Sequence, residues 1–151
     1  MLAPTVFTWI LVGLGFVFIV LLLLYAQLLT VLQPQSRRTK DLVIGKGEDW
    51  RDRTHFRFAY GAAWADLVVQ LPLLSAGSIG VLLGQAWGYL LWAGAGAILV
   101  YISLILWFVE REYVYPAWGP WAYYSFYWGF PVYWGIAVVV YSVLRLSGVF
   151  F

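Results

Sequence analysis

The sequence predicts an all-α integral membrane protein, a four-transmembrane-helix bundle, and three observations predict it. Hydrophobic residues make up 64% of the 151 positions and charged residues 11%, against roughly 45–50% and about 25% in an ordinary globular chain. A domain of this size buries only part of its surface, so a soluble fold has nowhere to put that much apolar area. The charges are also segregated, with seven of the nine Lys and Arg residues falling between Arg37 and Arg57. The uncharged stretches are long enough to supply the about 20 residues a spanning helix needs. A cytosolic enzyme, a disordered tail and a disulfide scaffold are thereby excluded. A net charge of +2 gives no reason to expect nucleic acid as a partner. The absence of cysteine removes disulfides, thiolate nucleophiles and Fe–S ligation.

The elements follow in order, as one membrane domain over residues 1–151. Val6–Leu32 carries no charge across 27 positions and forms the first span. It is too long for the apolar core of a cleaved signal, and Pro34 stops it. Residues 33–57 form the one long polar stretch, with seven basic and four acidic residues. Gly45 and Gly47 break it. The pattern turns helical again from Glu48, and Asp49 and Arg53 stand at the spacing of an ion pair on one helix face. From Phe58 to Trp107 the sole charge is Asp66, and 50 residues are too many for one crossing. A turn at Gly84–Gly88 divides them into spans of about 58–83 and 88–109, with Pro72 inside the first. Trp87 then falls at an interface, where Trp is enriched. Glu110, Arg111 and Glu112 close the third span. The fourth runs from about 121 to 146, with Pro131 inside it and Arg145 near its end.

The positive-inside rule puts residues 33–57 in the cytoplasm and both termini outside. A first span with no other targeting signal fits a prokaryotic plasma membrane. Three small-residue pairs predict close helix packing: Gly80 with Gly84, Gly61 with Ala65, and Ala93 with Ala97.

Asp66 is the most informative residue. It lies about 13 Å past the start of its span at 1.5 Å per residue. An ionisable group at that depth costs about 2.5–3.5 kcal/mol on insertion scales, so it faces the bundle interior or does chemistry. Gln70 is one turn further on the same face. Counting depth from the same side brings Tyr25, Gln27, Tyr101, Ser103, Tyr127 and Phe130 to its level, which predicts a layer of tyrosine hydroxyls. Glu110, Arg111 and Glu112 read first as a stop signal with a snorkelling Arg. The sharper reading pairs Glu110 or Glu112 with Asp66 as two acids for acid/base work. Twelve aromatics fall in the 22 residues Tyr113–Trp134. Part of that run is an interfacial belt. Tyr127, Trp128, Phe130, Tyr133 and Trp134 extend it into the fourth span, where they pack or line a pocket. His55 with Asp49 and Asp52 makes a poor metal face, since zinc wants more N or S ligands; no metal and no cofactor are expected.

These residues predict a protein that binds a lipid-like or apolar, aromatic small molecule in an intramembrane cavity around Asp66. The ligand-binding candidates are Asp66, Gln70, Tyr101, Tyr127, Trp128, Glu110, Arg111 and Glu112. Two alternatives stay open: an intramembrane acid/base enzyme of isomerase type, and a non-catalytic subunit of a larger membrane complex. Expected partners are membrane lipid, an apolar small molecule, and a second copy or another membrane subunit.

Overall fold

A computed structural model of the chain describes residues 2–110, 121, 125 and 128–149, with Glu110 described by its backbone alone. The described residues hold helices and no strand. Among the described residues, four helices are long and apolar enough to cross a membrane. We number the helices α1 (Val6–Leu32), α2 (Arg37–Val43), α3 (Arg53–Leu82), α4 (Ala86–Glu110) and α5 (Gly129–Leu146).

Each boundary has a local cause. Thr5 caps α1 through a capping box in which Thr5 and Thr8 exchange side chain-to-backbone bonds, satisfying donors the first turn leaves orphaned. The helix stops at Gln33, which leaves the α region (φ −137°, ψ 54°) because the ring of Pro34 disfavours that region for the residue before it. Ser36 caps α2 by accepting from Thr39 N at 3.1 Å. Asp52 caps α3, accepting from Thr54 N at 2.6 Å and His55 N at 2.8 Å.

These caps correct the reading of the polar stretch. It holds a helix at Arg37–Val43, and the second helix starts at Arg53 instead of Glu48. Asp49 does not meet Arg53 along a helix; it pairs with Lys40 at 2.6 Å, which ties the extended segment 48–52 back onto α2. The stretch is also anchored by apolar contacts. Ile44 is buried against Val43, Trp50 and Trp128, and Trp50 Nε1 donates to Pro34 O at 3.0 Å.

α3 and α4 form a hairpin whose turn sits at 83–85, with Gly84 at φ +67°. A Cβ on Gly80 or Gly88 would run into the other's backbone, so the two helices meet there main chain to main chain. Gly96 and Gly135 do the same for α4 and α5, each lying against the other's carbonyl. The sequence pairs account for only part of this. Gly84 serves the turn, Gly61 meets nothing, and Gly96 with Gly135 makes the close approach that Ala93 and Ala97 were expected to mark.

The core lies between α3, α4 and α5, around Leu74, Val81, Tyr89, Trp92, Trp134 and Val138. Trp92 and Trp134 meet edge to face at 6.0 Å, a favoured aromatic geometry. Trp134 Nε1 donates to Leu11 O at 3.0 Å, which joins α1 to this core.

Candidate functional site

The site is built from two irregular helical turns and one carboxylate. Within α1, Phe16–Leu21 is π-helical, and within α3, Asp66–Gln70 is π-helical. The turn in α3 has a visible cause. The Pro72 ring would meet the Val68 carbonyl four residues back in a regular helix, and the wider turn lies at that point. Such bulges occur often at functional sites. Both turns border a cavity of about 450 Å³, within the usual 300–1,000 Å³ of small-molecule pockets.

Each of the helices α1–α5 contributes to its wall. Phe18, Ile19, Leu22, Leu23, Ala26 and Gln27 come from α1. Phe58, Ala59, Ala62 and Asp66 come from α3. Leu99, Ile102, Ser103 and Leu106 come from α4, and Phe130 and Pro131 from α5. Trp128 and Val43 of α2 line it at the end nearest the polar segment. Phe18 and Phe130 are packed tilted, with ring centroids 5.2 Å apart.

Asp66 Oδ2 accepts a hydrogen bond from Gln27 Nε2 at 2.7 Å. No Lys, Arg or His is among the described residues of the wall. One carboxylate thus stands on a described wall that is mainly apolar and aromatic, with the neutral amide of Gln27 as its partner and the Ser103 hydroxyl elsewhere on the same wall. It can accept a proton or a donor from an occupant. The described wall offers no second acid or base to complete acid/base chemistry.

The sequence candidates separate on this geometry. Asp66, Trp128, Gln27, Ser103 and Phe130 reach the cavity. Gln70 does not. It is buried, donates from Nε2 to Ala95 O at 2.9 Å, and ties α3 to α4. The shared face expected for Asp66 and Gln70 assumed a regular helical turn, and the turn between them is π-helical. Tyr101 is 67% exposed and turned away. Tyr25 also leaves the site, lying beneath the Arg38 guanidinium at 5.3 Å. Of the expected tyrosine layer, Tyr25 and Tyr101 do not line the cavity, and Phe18, Phe58 and Phe130 stand on its described wall. Tyr133 faces outward, and Trp134 belongs to the core. Arg111, Glu112 and Tyr127 lie outside the described residues, as does the side chain of Glu110. No group of three metal-ligating side chains occurs among the described residues.

Sequence reading missed the α1 wall. Phe18, Ile19, Leu22, Leu23 and Ala26 sit in a run that is apolar on every side, so periodicity marks no inner face. It also missed a second polar cluster at the far end of the bundle. There Tyr141 OH lies 2.7 Å from both Thr5 Oγ1 and Thr8 Oγ1, and the buried Arg145 donates to Ala3 O.

No family model, no curated protein and no solved structure matches this chain.

Proposed function

We propose that the protein spans a membrane four times and binds an apolar small molecule in the cavity around Asp66. The observation that carries this reading is the coincidence of two features. The bundle leaves about 450 Å³ open, and the one charge of the long apolar stretch 58–107 stands on its wall. A charge costs free energy inside hydrocarbon, and an empty apolar space forfeits packing contacts. A ligand that fills the space with an apolar body and meets the carboxylate with a polar group offsets both. The single carboxylate of the described wall supports binding ahead of acid/base catalysis, and the open space supports it ahead of a purely structural subunit.

In the proposed topology residues 33–57 lie in the cytoplasm, so that the end of the cavity lined by Val43 and Trp128 is toward the cytoplasmic side. Purification in a native lipid environment followed by mass spectrometry is expected to recover a bound apolar molecule. Asp66→Asn is expected to lose it while the helical content stays. Retention undiminished in that variant contradicts the reading, and so does an empty cavity in every preparation.

A further inference from the structure

We infer that the ligand of this cavity is a cationic amphiphile: an apolar or aromatic body carrying one basic nitrogen, whose ammonium group sits against Asp66. The inference rests on the proposed binding function and adds the charge of the occupant. It follows from what the wall holds and what it lacks. Among its described residues the wall has one acidic side chain and no basic one. The polar partner of Asp66 among the described residues, Gln27, donates one hydrogen bond to Oδ2. An ionised carboxylate can accept several more. A neutral amide also leaves its charge uncompensated, which is expensive in an apolar setting.

The rest of the wall suits a cation as well. Phe18, Phe58, Phe130 and Trp128 surround the same space, and ring faces attract an ammonium group within about 6 Å. An anionic head would meet Asp66 with like charge. A neutral alcohol would hydrogen-bond to the carboxylate but leave its charge unbalanced. A cation satisfies both the carboxylate and the rings at once. The apolar residues Leu22, Leu23, Leu99, Ile102 and Leu106 then enclose the body of the ligand.

The test uses three probes of one chain length, N,N-dimethyloctylamine, 1-octanol and octanoate. Each is added to the full-length protein in nanodiscs of uncharged phosphatidylcholine, and the thermal unfolding midpoint is read. The amine is expected to raise the midpoint by several degrees, with a half-effect concentration at least tenfold below that of octanol, and octanoate to have no effect. Asp66→Asn should remove the difference between amine and octanol, and Asp66→Glu should keep it. Phe18→Leu leaves the carboxylate in place and should narrow the difference. Equal stabilisation by octanol and amine in the wild type overturns the cationic assignment and leaves the binding reading standing. So does an amine preference that survives Asp66→Asn. Failure of all three probes to stabilise the wild type overturns both. The wild-type comparison needs no variant to fold.

Discussion

Asp66 and Gln70 are separated by one π-helical turn and have different surroundings. Asp66 borders open space and takes one bond from Gln27. Gln70 is 1% exposed, and its amide bonds to the α4 backbone while its Oε1 is buried without a partner. Interhelical hydrogen bonds in membranes average about 0.6 kcal/mol, and the unpaired oxygen subtracts from that gain. Gln70→Leu is therefore expected to change stability by less than about 1 kcal/mol and to leave ligand retention intact. A loss of ligand equal to that of Asp66→Asn would show that Gln70 reaches the site after all. Asp66 was legible because a lone charge in 50 apolar residues stands out. The role of Gln70 was not, because amide side chains look alike in sequence whether they face a cavity or a neighbouring backbone.

Among the elements, the hairpin of α3 and α4 and the start of α3 lend themselves to test. Gly88 has no room for a Cβ against the Gly80 backbone. Overpacking of this kind costs about 1–3 kcal/mol, so Gly88→Ala should lower the unfolding midpoint, while Gly61→Ala, in open space, should not. Asp52 presents a second case. Backbone N–H donors of His55 and Thr54 hold its carboxyl below the ordinary value for Asp. A lowered pKa in the folded state means that the carboxylate stabilises the fold above the unfolded pKa. That contribution fades as pH falls through the lowered value. The protection of first-turn α3 amides, read as exchange relative to the unstructured rate at the same pH, is expected to fall across that acidic window in the wild type. Asp52→Ala should show low protection at every pH. A window unchanged by the substitution would assign the effect to another group. Asp49 is lowered in the same direction, first through its bond to Lys40, so Asp49→Ala and Asp52→Ala, made singly, separate the two. Caps of this kind follow from short sequence patterns, yet Asp49 and Asp52 both stand just ahead of the span. The choice fell to Asp52 because Lys40 draws Asp49 onto α2 at 2.6 Å.

For the whole molecule, the arrangement of charge gives a topology that labelling can check. The chain has no cysteine, so single substitutions report cleanly. Lys46 and Ser147 are both exposed. An impermeant thiol reagent applied from outside is expected to modify Ser147→Cys in intact cells and Lys46→Cys only after permeabilisation. The reverse pattern would invert the proposed orientation and turn the Val43 and Trp128 end of the cavity toward the outer side.

Composition, the lengths of the uncharged runs and the clustering of basic residues were enough to predict four helices of spanning length, the turn near Gly84 and a charge set deep within one of them. Those features depend on local chemistry: an apolar run satisfies its own backbone in hydrocarbon only as a helix, whatever stands beside it. Which residues face inward depended on the neighbours. A helix apolar on all sides, such as Val6–Leu32, has no face that its own sequence prefers. The bundle chose Phe18, Ile19 and Gln27 for the cavity through the Gln27–Asp66 bond, the Gly96–Gly135 approach and the two π-helical turns. These are contacts between segments far apart in the chain, and only packing decides them.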